Sequence, residues 1–388
     1  MDARRSALLT ELLNQPTAPF REEYVITAVE RILTGARVPF FRDPVGNIVI
    51  GCASRARYHQ LVREKSPEPL RVFIAHMDHP GFHGVRWLSG SRLRIKWHGG
   101  SPVRHLAGSR VWLATRDGDR MEGKLARVRL IKSRRAIDTA EVHITGAVKE
   151  PKPRASALYG GFGFRAAVWR SGKKLHTKAA DDLVGVFAII DTAMELHAKR
   201  RARKSPPFLG ILTRAEEVGF IGAIGHFELG WLSHSRRPVV CISLETSRTL
   251  PGALIGKGPV VRLGDRRTTF HPDYLAVLSD IAQNTLPKRH QRRIMDGGTC
   301  EATAATAYGL PAIGISVPLG NYHNEGLEGG PDCRALRGPA PEFVHLDDIE
   351  GMLKLCRALM RARWPWASPW TSQRRSMQKK LREYREQL

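Results

Sequence analysis

The spacing of apolar residues divides the chain into stretches of different kinds. Over residues 21–34 they recur at the helical period, with Val25, Ala28, Val29 and Ile32 on one face. Val45-Gly46-Asn47-Ile48-Val49-Ile50 reads as a Gly-Asn turn running into a strand, and Arg71-Val72-Phe73-Ile74-Ala75 as a buried strand ending at His76. From about Gly84 to Val168 the period drops to two. Leu93-Arg94-Ile95-Lys96-Trp97, Val111-Trp112-Leu113 and Val142-His143-Ile144 alternate between Gly-containing turns, with no long helical stripe. Strand–helix alternation then resumes. Leu183, Val186, Phe187, Ile190, Ala193, Met194 and Leu196 form the buried stripe of a helix reaching about Ala198. Strands are expected at 208–213, 238–244 and 311–317, a turn at Gly297-Gly298-Thr299 and an amphipathic helix over 347–362.

This order predicts an α/β protein in two discontinuous parts, residues 1–83 and 168–362, around an inserted β-rich domain at 84–167. Residues 363–388 stand apart as a tail. Trp364, Pro365, Trp366, Pro369 and Trp370 lead into a basic run, Arg374, Arg375, Lys379, Lys380, Arg382 and Arg385, against only Glu383 and Glu386. The reading adopted is a solvated helix whose tryptophans pack on the parent domain, ahead of a helix that binds anionic partners.

Charge and cysteine content alter this picture in two ways. The 388 residues carry 62 Lys and Arg against 37 Asp and Glu, a formal +25, a field that attracts nucleic acid, anionic membrane or acidic peptides. A solvated basic surface is the plainer account, since charge reports on association rather than fold. Five scattered cysteines without a Cys-x-x-Cys pair argue against a disulfide framework and for a reducing compartment. Met1 to Gln15 lacks the apolar region of a signal peptide, and no apolar run approaches about 18 residues. A soluble, cytoplasmic protein with no membrane association is expected.

Five apolar stretches finish on a metal-binding side chain, in the order His, Asp, Glu-Glu, Glu, His. They are Ala75-His76-Met77-Asp78, Ala180-Asp181-Asp182, Ala215-Glu216-Glu217-Val218-Gly219, Ser243-Leu244-Glu245-Thr246 and Asn321-Tyr322-His323-Asn324. Carboxylates and imidazoles together suit two hydrolytic metal ions. Most lie just past an apolar strand, where open α/β sheets bind ligands. Asp78 is placed to take the second N–H of the His76 ring. Helix capping explains one of Asp181 and Asp182 but not the pair, and a carboxylate with both oxygens free could bridge two cations. At a strand-to-turn junction Glu216 and Glu217 can be aimed differently, one at a metal and one at the attacking water as general base. Glu245 follows six mostly apolar residues, and a buried unpaired carboxylate is costly, so it expects a cation. His323 closes the set, with His345 as the rival for that place.

Taken in order, these residues resemble the co-catalytic metallo-aminopeptidases of the tetrahedral and glutamyl aminopeptidase type, a group that shares its fold with zinc carboxypeptidases and deacylases. The resemblance spans roughly residues 5–362 and includes Gly99-Gly100, Gly108-Ser109-Arg110-Val111, Gly118 with Gly123, Gly297-Gly298-Thr299 and Gly309-Leu310-Pro311-Ala312. It implies a three-layer catalytic domain of zinc-exopeptidase type with a mixed central sheet and a small barrel-like insert. It further implies two divalent ions, Zn²⁺ with Co²⁺ or Mn²⁺ as alternatives. His76 and His323 would each hold one, Asp181 would bridge them, Glu217 and Glu245 would complete the two shells, Glu216 would activate a metal-bridging water and Asp78 would orient. The partners implied are a peptide substrate and further copies of the chain, with nucleic acid allowed by the charge but not favoured. Leu183 stands where the family has Arg, His79 where an acidic residue is usual and Glu245 where Asp is usual, and the stretch after His323 is longer. These departures bear on substrate preference and assembly more than on the metal site. Two rival readings remain, an N-acyl amino acid deacylase or carboxypeptidase using the same residues, and a degenerate basic binding protein on the same scaffold.

Overall fold

The computed structural model describes every residue except 149, 200–206 and 363. Its strands, in chain order, are β1 (Phe40–Arg42), β2 (Ile48–Ile50), β3 (Leu70–His76), β4 (Gly81–Trp87), β5 (Arg92–His98), β6 (Arg110–Ala114), β7 (Arg120–Leu130), β8 (Ile137–Thr145), β9 (Tyr159–Phe162), β10 (Val168–Ser171), β11 (Lys174–Thr177), β12 (Phe208–Thr213), β13 (Val239–Arg248), β14 (Val260–Asp265), β15 (Gln291–Met295), β16 (Ala312–Leu319) and β17 (Glu342–His345). The continuous apolar runs become strands covered on both faces, because parallel strands in an α/β sheet have helices above and below. All seven residues of β3 and all eight of β16 are buried.

The main sheet has eight strands in the order β1-β2-β12-β3-β13-β16-β14-β15. Its centre, β12, β3, β13 and β16, is parallel, while β2 and β14 run antiparallel to their inner neighbours, so the sheet is mixed. Alternate residues of β3 feed two separate cores. Phe73 and Ala75 join the helices Leu183–Lys199, Pro272–Thr285 and Leu346–Leu359, whereas Val72 and Ile74 join Arg55–Arg63, Ile221–Glu228 and Glu301–Ala307. This is the three-layer arrangement that the family resemblance implies, built on the strand–helix alternation read from the sequence.

The period-two region closes into a six-stranded barrel, β4-β5-β8-β7-β6-β9, filled by Phe82, Leu93, Ile95, Trp97, Leu125 and Val142 among others. It leaves the main sheet only four residues after the end of β3. At the far end of the chain Trp366 is buried under the Arg71 guanidinium, 5.3 Å from the ring centre, and Trp364 Nε1 donates to the Ala358 carbonyl at 2.8 Å. Trp370 stays 45 % exposed while its ring N–H donates to Asp273. The following helix, Thr371–Tyr384, buries none of its residues. Among the described residues no helix is long and apolar enough to cross a membrane.

Candidate metal centre

Strands β12, β3, β13 and β16 run side by side in one direction, so their carboxyl ends form one rim. His76 is the last residue of β3, opposite Thr213 of β12. Glu216 and Glu217 sit in a single 3₁₀ turn just beyond β12, and His323 in another just beyond β16. Glu245 differs from the expected position past a strand end. It lies within β13, because the ladder to β16 continues to the Arg248–Leu319 pair.

Asp181 occupies the middle. Its Oδ1 lies 3.4 Å from His76 Nε2 and its Oδ2 3.8 Å from His323 Nε2. Glu217 Oε2 is 3.2 Å from His323 Nε2, and Glu216 Oε2 is 3.8 Å from His76 Nε2. One donor atom each of His76, Asp181 and Glu217 lies within 4.8 Å of the other two. Glu245 accepts from Ser243 Oγ at 3.3 Å and shares a cleft with Asp181, Tyr322, Arg248 and Arg262. Asp182 is the capping member of its pair, accepting the Gly185 amide at 3.1 Å, which leaves Asp181 free. His345 is occupied elsewhere, accepting the Asp347 amide at 3.2 Å as the cap of helix Leu346–Leu359.

The turns that present these side chains are strained. Ala215 and Phe220, which bracket the Glu-Glu turn, and Asn321, His323 and Asn324 all have φ between +52 and +61°. Such left-handed non-glycine residues cost roughly 1–3 kcal/mol each and persist only where the surroundings hold them. Buried carboxylates do the holding. Asp78 accepts the amides of Glu216 and Glu217 at 2.9 and 3.2 Å, one on each oxygen. Glu342 accepts the amides of Ala180, Asp181 and His323 at 2.7, 3.2 and 2.9 Å, tying the central carboxylate to the second histidine. Glu22 accepts the Ala215 amide at 3.0 Å and pairs with Arg214 at 2.8 Å. His79 spans the Asp181 carbonyl at 2.7 Å and Asn324 Oδ1 at 3.2 Å. The His76 ring presents Nδ1 to the Asp78 carbonyl at 3.2 Å, with the Asp78 carboxylate at 3.6 Å.

Glu22 and Glu342 escape the sequence reading. The signal that could have found Glu342 is the one that singled out Glu245, a carboxylate next to residues such as Phe343 and Val344 that must be buried. The barrel adds a shape constraint. A Cβ on Gly100, just past β5, would stand 2.1 Å from His323 Nδ1, and one on Gly99 would stand 3.3 Å from the Glu217 Cβ.

The donor set fits divalent cations. Asp181 Oδ1 and Glu217 Oε1 are buried without a hydrogen bond, which is costly unless a cation faces them. Burial raises Glu216 well above the usual carboxylate range, with Glu217 and Glu245 adding to it against His76. Burial pushes Glu245 up to about 8 against the pull of Arg262 and His76. Burial lowers the His76 pKa, yet Glu216, Asp181 and Asp78 outweigh it and lift the imidazole well above its ordinary value. The crevice thus holds more negative charge than its own cations balance.

A mixed α/β sheet with an inserted barrel and this rim is the fold of solved aminopeptidases. An aminopeptidase from the archaeon Desulfurococcus kamchatkensis is 21 % identical, with a TM-score of 0.71 over 94 % of this chain and 96 % of that one. The TET aminopeptidase of a marine sediment thaumarchaeote is 18 % identical, with a TM-score of 0.71 over 93 % and 98 %. The Pyrococcus horikoshii TET1 peptidase, described as able to assemble into a tetrahedron or a large octahedral shell, is 20 % identical, with a TM-score of 0.70 over 92 % and 100 %. No curated protein matches in sequence. The M42 glutamyl aminopeptidase profile matches residues 60–327, and the chain belongs to that family. It is a hydrolase of the metallo-aminopeptidase class.

Two outcomes follow from the geometry. Gly100→Ala is expected to displace the His323 ring and weaken divalent-cation binding, read with Zn²⁺ as the probe, by about tenfold or more in titration calorimetry. Gly35→Ala, whose Cβ would meet nothing within 4 Å, is expected to leave that binding unchanged. The second concerns pH. Burial raises Glu245 to about 8 and Glu22 and Glu301 to about 7 from 4.5. Between 4.5 and about 7 to 8 each keeps its proton in the folded protein where the unfolded chain has lost it, so that stability is present below 4.5 and is lost as pH rises from there to about 7 to 8. Metal-free protein is therefore expected to melt at progressively lower temperature as pH rises through this window, and added Zn²⁺ to restore most at its upper end.

Proposed function

We propose that the protein is a dinuclear, divalent-metal-dependent aminopeptidase that removes N-terminal residues from peptides. The carrying observation is the Asp181 carboxylate, which turns one oxygen towards each histidine. Asp181 would be shared between two ions, His76 and Glu245 would help hold one, and His323 and Glu217 the other. When bound, the ions supply Lewis acidity to the attacking water and the scissile carbonyl, with Zn²⁺ the first choice and Co²⁺ or Mn²⁺ alternatives. Glu216 takes the proton from the water and returns it to the leaving amine. Its raised pKa suits a group that must hold a proton between the two steps. Asp78 keeps Glu216 and Glu217 aimed through their amides and accompanies the His76 ring.

The cleft beside Asp181 and Glu245 is walled by Arg262, Arg248, Tyr322, Met295 and the Gly297-Gly298-Thr299 turn. Arg262 is buried, and its Nε has no hydrogen-bond partner. This favours an acidic N-terminal side chain. We take residues 1–83 with 168–362 as the catalytic unit, 84–167 as the insert and 363–388 as the tail, in a cytoplasmic homo-oligomer. The self-assembly of the Pyrococcus horikoshii neighbour supports the last point.

Glu216→Gln is expected to bind two equivalents of Zn²⁺ while losing about 10²–10⁴-fold in kcat on an aminoacyl-anilide. Wild-type turnover in a fully loaded variant would remove Glu216 from the mechanism. Metal-stripped enzyme given Zn²⁺, Co²⁺ or Mn²⁺ is expected to cleave free-amino anilides, those of Glu and Asp ahead of Leu. Cleavage of N-acylated substrates instead would favour a deacylase, and silence with every metal a degenerate scaffold.

A further inference from the structure

The surplus positive charge is unevenly placed. Residues 84–167 hold 18 Lys and Arg against 6 Asp and Glu, so this stretch supplies 12 of the chain's +25. Much of it stands on the outer face of three neighbouring barrel strands. In β5, Leu93, Ile95 and Trp97 fill the barrel, which turns Arg92, Arg94 and Lys96 outward. Across the ladder on β8, Arg92 meets His143, Arg94 meets Glu141 and Lys96 meets Thr139. From the other side, Lys124 of β7 meets His143 and Arg129 meets Thr139.

Glu141 is the key to this face. It points out of the barrel yet is only 1 % exposed, because cations cover it. Arg94 lies 3.1 Å from its carboxylate, Arg127 3.7 Å, Arg92 3.8 Å and His143 Nε2 3.7 Å. Arg127 gets there through a bulge between Ala126 and Arg129, with its own backbone at φ +46°. Bulges of this kind re-aim a side chain. One carboxylate balances one guanidinium, so at least two positive charges stay uncompensated side by side, a placement that destabilises a sheet by itself. Glu141 holds Arg94 by a hydrogen bond and draws Arg127 and Arg92 to ion-pair distance, while the side chains of Arg127 and Arg92 remain 71 % and 40 % exposed.

We propose that this barrel face binds the phosphate backbone of nucleic acid. The planar guanidinium fork matches a phosphate, and pinning by Glu141 lowers the entropy lost when one is gripped. Alternate residues of a strand repeat at about 6.8 Å, so the face offers a grid of cations suited to a charged polymer. The barrel is closed, which leaves no free edge for a peptide to join as an added strand. No Phe, Tyr or Trp stands among the ladder partners named above, which favours contact with the backbone, independent of sequence.

The test uses full-length, metal-loaded protein and a fluorescently labelled mixed-sequence DNA oligonucleotide, read by anisotropy. Binding is expected at about 50 mM salt and to weaken by roughly tenfold or more at about 200 mM. The triple variant Arg92→Gln, Lys124→Gln, Arg127→Gln is expected to lose at least about tenfold in affinity and two to three units of salt slope, with anilide hydrolysis and melting temperature unchanged. A variant with Arg374, Arg375, Lys379 and Lys380 changed to Gln is expected to bind like wild type. The proposal is overturned if the oligonucleotide fails to bind at low salt, if the barrel variant binds as well as wild type, if the loss follows the C-terminal helix, or if a Glu-rich peptide binds more tightly than the oligonucleotide. None of these readings depends on hydrolysis, so they stand apart from the fate of the catalytic proposal.

Discussion

Nine carboxylates crowd one crevice at the rim of the central sheet: Glu22, Asp78, Asp181, Asp182, Glu216, Glu217, Glu245, Glu301 and Glu342. Their near neighbours include only a few cationic side chains, Arg214, Arg262, His76 and His323 among them. The fold answers this repulsion by dividing the carboxylates into two groups. Glu22, Asp78 and Glu342 spend their oxygens largely on backbone amides, and Asp182 spends one of its two on the Gly185 amide. Asp181 and Glu217 keep a buried oxygen unbonded. The first group builds the turns, and the second is left to meet cations. A crevice assembled this way is costly until it is filled, since removing a charge from water without a partner is unfavourable.

The rest of the architecture can be read as delivery to that rim. Four parallel strands bring segments distant in sequence to adjacent positions, and the barrel leaves the sheet directly after the first of them. Its return to the site is through Gly99 and Gly100, where the absence of a side chain is what lets the His323 ring lie close. The insert is therefore a wall of the metal centre as well as a separate folded unit. Gly100, just past β5, is constrained by a ring more than two hundred positions away in the chain.

What was legible in the sequence depended on whether the signal is local. Apolar runs marked β3, β12, β13 and β16, because strands covered on both faces must be apolar throughout. Alternation marked the barrel, because one face of each strand is wet. The metal-binding side chains next to apolar stretches, His76, Asp181, Glu216, Glu217, Glu245 and His323, stood out against their neighbours, and the structure brings them to one rim. Glu342 and Glu22 did not stand out, because what they do is accept amides from segments far away in sequence. The reach of Asp78 to the Glu-Glu turn is invisible for the same reason. Spacing placed it beside His76, but only the parallel pairing of β3 with β12 puts its oxygens under the amides of Glu216 and Glu217.

The same physics operates with opposite sign on the barrel. In the crevice, carboxylates are gathered and fixed by backbone amides, and what they lack is positive charge. Around Glu141, cations are gathered and fixed by one carboxylate, and what they lack is negative charge. In both places a protein bears the cost of holding like charges together, and in both a buried group organises them. Scattered surface charge shows neither property, since isolated exposed side chains are neither pinned nor converging and contribute little. Convergence on a buried counter-charge therefore separates a built electrostatic site from a merely basic surface. By that criterion the excess charge of this chain is partly organised, and the organisation lies on the insert that also carries Gly100 to His323.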